Sequence, residues 1–362
     1  MVKPEFWNRR SVFVTGNTGF KGTWLSIWLH KMGANVTGYA LEPVKNELNL
    51  FQECKLDKYI HSIYGDIRDY AKLKRAIEET SPEIIIHMAA QPLVRESYQN
   101  PVETYCINVM GTVHVLEAVR EINKNERKIL GVLNITTDKC YENREWVWGY
   151  RENEALGGYD PYSSSKACSE LVTSSYRSSF FQQDSYSEHG AAIASARAGN
   201  VIGGGDWAKD RLIPDCVRAI MNGQNLELRY PEAIRPWQHV LEPLHGYMQL
   251  VERLVDGGQE YAEAWNFGPG EDDMRTVEWM ARHFCEAWGD DASYRILKKR
   301  PTLHENTLLR LDCSKAMSRL GWRPRWNADQ AIIKVVEWTK LYLQREEPLE
   351  ICLRQIDQYL SQ

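Results

Sequence analysis

A chain of 362 residues, 43% of them hydrophobic and 26% charged, is long enough for one large domain plus a smaller lobe. A formal net charge of −5 with no Lys/Arg block excludes the footprint of a nucleic-acid binder, so the expected partners are small molecules or further copies of the chain. Residues 1–10 lack the apolar stretch of a signal peptide, and no run approaches the roughly 18 apolar residues of a membrane span, which gives the expectation of a cytoplasmic protein with no membrane partner. The eight cysteines form no CxxC pair and the histidines lack zinc-type spacing, so no metal is expected and the thiols read as reduced.

Taken in order, the first half alternates short apolar runs with helical patterns, the signature of βαβ units and a parallel sheet. Val12–Thr15 reads as the first strand. A helix over 19–32 follows, with Trp24, Trp28 and Met32 at i, i+4, i+8, which predicts one apolar face. Strands over 35–41 and 59–64, a helix around 73–77, a buried strand over 83–89, a helix near 110–119 and a strand over 129–136 continue the rhythm. A helix over 162–180 then leads into a strand over 191–198. After Gly203 the rhythm changes to Gly, Pro and Trp interspersed with helical pieces over 213–221, 274–287 and 328–343. The expected fold is α/β, a Rossmann-type doubly wound parallel sheet over 1–190 with a smaller C-terminal α/β substrate-binding lobe over 191–362, segments near 240–268 returning to the sheet.

The first strand runs into Gly16-Asn-Thr-Gly19-Phe-Lys-Gly22, where the next helix begins. Glycines are needed there if a pyrophosphate is to approach backbone N–H groups at a helix N-terminus, although GxxGxxG also fits a plain strand-to-helix loop. The end of the second strand, Gly38-Tyr-Ala-Leu41, offers no carboxylate for a ribose, and the lack of an Arg there disfavours a 2′-phosphate. Asp66-Ile67, after the third strand, places a carboxylate where an adenine amino group could meet it.

Tyr162-Ser-Ser-Ser-Lys166 has a decoy of equal spacing in Tyr70 and Lys74, and context separates them. Tyr162 follows Pro161 at a helix start just beyond the fifth strand, on the crevice side of such a sheet. At i, i+4 the Lys166 ammonium is expected to lower the Tyr162 phenol from about 10 toward working pH, so that Tyr162 takes a hydroxyl proton while hydride leaves the same carbon. The fifth strand ends in Thr136-Thr137-Asp138-Lys139, an acid and an amine side by side where substrates bind, or else a solvated turn.

Together these residues make the chain resemble the extended short-chain dehydrogenase/reductase family and, within it, the nucleotide-sugar 4,6-dehydratases. The resemblance runs through Gly16–Gly22, Asp66-Ile67-Arg68, His87-Met-Ala-Ala-Gln91, Asn108-Val-Met-Gly111-Thr112, Thr137-Asp138-Lys139, Tyr162–Lys166 and Arg197-Ala-Gly-Asn200. Gly203-Gly-Gly-Asp206-Trp207 and Arg235-Pro-Trp-Gln-His-Val240 resemble the branch that works on cytidine diphosphate sugars. The resemblance implies CDP-glucose as substrate and NAD as cofactor, held by Gly16, Asn17, Thr18, Gly19, Phe20, Gly22, Asp66, Ile67, Ala89, Ala90, Gln91, Asn108, Tyr162 and Lys166.

It further implies that Tyr162 takes the C4 hydroxyl proton, Thr137 places the C4 oxygen, and Asp138 protonates the departing C6 hydroxyl. The dehydratase pattern at large carries Asp-Glu where this chain has Asp138-Lys139. Lys139 is then either the C5 base or a group that steadies the enolate while another takes the proton. Asn200, Arg235 and Asn266 are implied at the sugar-linked diphosphate. Trp237, His239 and Glu305 are candidates for the cytidine pocket, where packing or surface roles fit each as well. Helices near Met110 and Tyr162 would pair two copies into a homodimer or homotetramer, and the product would feed deoxysugar biosynthesis of the O-antigen lipopolysaccharide kind. A nucleotide-sugar 4-epimerase would share the glycine turn and the Tyr/Lys pair but needs no acid/base couple. A family member kept only to bind NAD needs neither couple.

Overall fold

The computed structural model describes residues 2–126, 128–289, 292–297 and 308–362. Seven strands form one parallel sheet: β1 (Ser11–Thr15), β2 (Asn35–Ala40), β3 (His61–Tyr64), β4 (Ile84–His87), β5 (Gly131–Ile135), β6 (Ala192–Ala198) and β7 (Ala264–Phe267). Their order is β7-β6-β5-β4-β1-β2-β3, so the direction of winding reverses between β1 and β4 and opens a crevice at the carboxyl ends there. β4, β5 and β6 are buried along their whole length, which is why they read as unbroken apolar runs.

Side chains alternate across the sheet, so each strand feeds two cores. Phe13, Ile85, Val132 and Ile193 face one layer, built from α2 (Tyr70–Thr80) and α3 (Gly111–Glu126). Val12, Val14, Ile84, Ile86, Leu133 and Ala194 face the other, where α1 (Phe20–Lys31) and α6 (Leu241–Gly257) pack. Between these helices in sequence lie α4 (Pro161–Phe180) and α5 (Leu212–Met221), and after them come α7 (Val277–Trp288), α8 (Ala328–Leu343) and α9 (Pro348–Leu360). α5, α7 and α8 enclose a third core of Ile213, Val217, Met280, Phe284 and Ile332, which forms the smaller lobe.

Three features differ from the sequence pattern. α1 is buried all round from Gly22 to Leu29 and has no single apolar face: Trp24 donates to the Gly204 carbonyl at 3.0 Å, and Trp28 stacks on His245 and meets Tyr359 of α9 edge-on. The C-terminal helix supplies a second dry surface that the local pattern could not show. The helix predicted over 274–287 begins at Val277, because Met274–Thr276 pairs antiparallel with Ile234–Pro236 and the Thr276 hydroxyl caps the helix by accepting from Trp279 N at 3.1 Å. The sheet does not stop at residue 190, since the next strand, β6, pairs with β5, whereas the pairing of β7 with β6 is the expected return of the chain to the sheet.

Gly204 marks how tightly the lobe is joined, since a Cβ there would lie 2.0 Å from Trp338 Cγ on α8. Gly204→Ala is expected to destabilise the chain by about 1–3 kcal/mol, the usual range for overpacking, read as a lower urea midpoint at unchanged slope.

Candidate active site at the carboxyl ends of the strands

The glycine turn is bare because nothing larger fits. Gly16 has φ +74°, and a Cβ on it would lie 2.7 Å from Ala89 N, while one on Gly22 would lie 2.2 Å from the Gly16 carbonyl oxygen. Asn17 is buried with both ends of its amide unpartnered among the described residues, tucked against Gly38, where a Cβ would lie 2.2 Å from the amide. Thr18 is held by its hydroxyl donating to the Leu41 carbonyl at 3.1 Å. An empty backbone cradle at the start of a 12-residue helix, with an orphaned amide beside it, fits a dinucleotide diphosphate. Ala89 and Ala90 follow β4 on the facing side. The Gln91 N–H donates to Asn108 Oδ1 at 2.8 Å, and Asn108 Nδ2 donates to Ser165 Oγ at 2.8 Å, so these two residues brace that loop against α4. Asp66 is clasped by Arg68, whose Nη2 lies 2.6 Å from Oδ2, and this contact holds the carboxyl below its ordinary range. Ile67 is buried under Gly111.

α4 carries the Tyr/Lys pair into the crevice. Asp160 caps it by accepting from Ser163 N at 2.9 Å, and Pro161 opens the first turn. Tyr162 meets the end of β5 beside Thr137, whose hydroxyl donates to Asp138 Oδ1 at 3.0 Å. Lys139 Nζ lies 3.4 Å from the same oxygen and 3.3 Å from Asn200 Oδ1. Asp138 is fully buried, and its Oδ2 has no partner among the described residues. The Lys166 ammonium donates to the Ile135 carbonyl at 3.1 Å.

The expected electrostatic help from Lys166 is not present in the ligand-free chain. Burial pushes Tyr162 up to about 12, outweighing the Thr137 hydroxyl beside it. Burial and the neighbouring Lys21 push Lys166 down to about 7, so its ammonium is not a fixed charge at neutral pH. The decoy pair lies elsewhere: Tyr70 donates to Glu121 at 2.8 Å and Lys74 pairs with Glu121 at 2.6 Å in the contact between α2 and α3.

Thr137, Asp138, Lys139, Tyr162, Asn200, Arg235 and Trp237 line one cleft of about 490 Å³ between sheet and smaller lobe. Two other residues expected at the substrate do not reach it. Asn266, in β7, is fully buried, its amide donating to the Tyr150 and Asp312 carbonyls at 2.8 and 3.1 Å and accepting from Tyr141 Oη at 2.7 Å, so its bonding capacity is spent on the fold. His239 is fully buried between the rings of Trp24 and Trp326, where burial and Lys334 push it down to about 3 and keep it neutral. Glu305 lies outside the described residues. Sequence reasoning missed Lys21, Asp206 and Arg211, which line the same cleft, Arg211 pairing with Asp206 at 3.0 Å. Lys21 stood inside the glycine turn and could have been noticed. Arg211 lies in an irregular stretch that carries no local signal.

The model of the family described as GDP-mannose 4,6 dehydratase matches residues 13–335. The chain belongs to that family. It is 53% identical, over 100% of its length and 99% of the relative's, to the CDP-glucose 4,6-dehydratase of Salmonella typhimurium strain LT2. Its identity to the dTDP-glucose 4,6-dehydratase of Xanthomonas campestris pv. campestris is 23%, over 90% of this chain and 92% of that one. The solved dTDP-glucose 4,6-dehydratase of Bacillus anthracis in complex with NAD shares the fold at TM-score 0.74 and 20% identity, covering 94% of this chain and 99% of that one. The UDP-glucose 4-epimerase of Thermotoga maritima with UDP-glucose does so at TM-score 0.77 and 20% identity, covering 92% and 99%.

In this family member the depressed Lys166 has a consequence for stability. Its folded pKa of about 7 lies below the ordinary 10.5, so the folded chain binds fewer protons than the unfolded one across that window and loses stability as pH falls through it. Ligand-free Lys166→Met is therefore expected to melt several degrees above the parent at pH 7, with the margin narrowing toward pH 10. Equal midpoints at pH 7 would contradict that environment. Behind the site, Glu170 pairs with Arg197 at 2.9 Å in full burial. Glu170→Ala, which leaves the guanidinium unpaired, is expected to cost about 3–5 kcal/mol in denaturant unfolding.

Proposed function

We propose that the chain is an NAD-dependent nucleotide-sugar 4,6-dehydratase, a hydro-lyase that converts CDP-D-glucose to CDP-4-keto-6-deoxy-D-glucose. The observation that carries this reading is the corner of Thr137, Asp138 and Lys139 against Tyr162, in a chain so like a CDP-glucose 4,6-dehydratase over its full length. A 4-epimerase uses the Tyr/Lys pair but has no task for a carboxyl group and an amine next to it.

Gly16, Asn17, Thr18, Gly19, Phe20 and Gly22 would hold the NAD diphosphate, and Asp66 and Ile67 the adenosine half. Ala89 and Ala90 would flank it, with Gln91 and Asn108 bracing their loop, and Tyr162 and Lys166 would hold the nicotinamide ribose. NAD supplies a hydride acceptor that becomes the hydride donor, and its cationic ring adds the charge that lets Tyr162 give up its proton. Tyr162 takes the C4 hydroxyl proton while Thr137 holds the C4 oxygen. The resulting ketone acidifies C5. Lys139 removes the C5 proton as Asp138, protonated, gives its proton to the C6 hydroxyl, which leaves as water. Lys139 then returns a proton to C5 when hydride reaches C6.

Counting protons shows what must reset. A turnover ends with Tyr162 protonated and Asp138 ionised, so one proton has to pass from the phenol back to the carboxylate. The Thr137 hydroxyl, which donates to Asp138 and lies beside Tyr162, is the bridge for it. Arg235 and Asn200 face the substrate diphosphate, and Trp237, anchored by donating to the Arg275 carbonyl at 3.0 Å, faces the base. The active form is a cytoplasmic homo-oligomer, at least a dimer, joined through the exposed apolar side chains of Val102, Met110 and Leu171 near α3 and α4.

Incubation with a panel of nucleotide-glucoses in D2O is expected to turn over CDP-glucose and place one solvent deuterium at C5. Product from thymidine or guanosine sugars alone would overturn the cytidine assignment, and a galactose-type product would move the chain to the epimerases. Lys139→Ala is expected to reduce its bound NAD, seen as absorbance near 340 nm, and then stall before water loss. Full turnover by that variant would remove Lys139 from the chemistry.

A further inference from the structure

Lys21 is the second residue of α1, so the glycine turn sets its backbone and its side chain runs into the cleft beside Thr137, Asp138, Lys139 and Tyr162. It makes no hydrogen bond and no ion pair with any described residue. The charged groups that it feels are Arg211, Asp138, Lys139 and Asp206, and these are already matched with one another: Arg211 with Asp206 at 3.0 Å, and Lys139 with Asp138 at 3.4 Å. Lys166 feels Lys21 more than any other charge. Lys21 is therefore an unmatched cation standing between the turn that would hold a dinucleotide and the two groups that would work on it.

We propose that Lys21 is an electrostatic residue of the hydride step, its uncompensated ammonium biasing the bound dinucleotide from the oxidised toward the reduced form. The argument rests on the dehydratase reading for the dinucleotide and on one charge difference. The nicotinamide ring carries a positive charge when oxidised and none when reduced, so a fixed cation nearby disfavours the first and spares the second. Oxidation of a secondary alcohol by NAD is uphill in water, and this chain has to make that step before water can leave. Burial lowers Lys21 to about 8, which leaves the ammonium mostly charged at neutral pH. A phosphate contact is the other task open to such a lysine, and it would treat both forms of the dinucleotide alike.

The test is to measure the Kd of NAD and of NADH separately, without sugar, in the full-length protein and in Lys21→Met and Lys21→Arg. In Lys21→Met, NAD binding is expected to tighten relative to NADH by about tenfold, and Lys21→Arg is expected to keep the parent ratio. Lys21→Gln repeats the measurement if Lys21→Met is unstable. An equal loss for both forms would make Lys21 a phosphate ligand, and an unchanged ratio would leave it no part in the hydride step; either overturns the inference. Parent protein that binds neither form overturns it together with the reading beneath it. A shifted ratio in a protein that leaves CDP-glucose untouched upholds the charge effect and sinks the dehydratase reading alone.

Discussion

Glu170 and Arg197 meet with almost no exposure, and their contacts tie together the helix that carries Tyr162 and the strand end that carries Asp138. Glu170 sits on α4, two turns beyond Tyr162 and one beyond Lys166; its oxygens accept from Thr136 at the end of β5, from Ser195 of β6 at 2.6 Å and from Arg197 at 2.9 Å. Arg197 reaches on to the Tyr141 hydroxyl at 2.8 Å, just after Lys139 and Cys140. The helix that bears Tyr162 and the strand end that bears Asp138 are thereby fixed to one buried carboxylate. Burial alone would push Glu170 up, but Arg197 and the hydroxyl donors hold it down, so it stays ionised and keeps all three contacts. The relative position of phenol and acid is set from beneath the site.

Above this base the cleft is densely charged, with basic side chains set among as many carboxylates. Lys21, Lys139, Arg211, Arg229 and Arg235 all line it. Asp210 draws Arg95 and Arg229 together at 3.0 and 2.7 Å, tying the short helix Val94–Gln99 after β4 to the smaller lobe across the mouth. Holding the Lys21 and Lys166 ammonium groups out of water costs stability, as their lowered pKa values show, and an anionic ligand beside them would offset that cost.

What could be read along the chain is what depends on neighbours in sequence. The glycine turn needs bare backbone at fixed spacing, Tyr162 and Lys166 share a face through one helical turn, and Thr137 to Lys139 follow the last residue of a buried strand. The seven-stranded sheet was legible for the same reason, since β4, β5 and β6 are apolar throughout. The even burial of α1 was not, because its second covering layer is α9, more than 300 residues later in the chain.

Tertiary structure alone decided which of several polar residues in the second half reach the cleft. Asn266 and His239 are as polar as Asn200 and Arg235, but backbone carbonyls and indole rings close over the first pair and leave the second open. It also decided the charge states: a tyrosine four residues before a lysine looks activated in sequence, yet burial raises the one to about 12 and lowers the other to about 7. The sequence by itself determined the sheet, the dinucleotide turn and the acid/amine corner, because each is encoded within a few consecutive residues. Desolvation and the crowding of Lys21 against Lys166 come from how distant segments pack, and no local spacing records them.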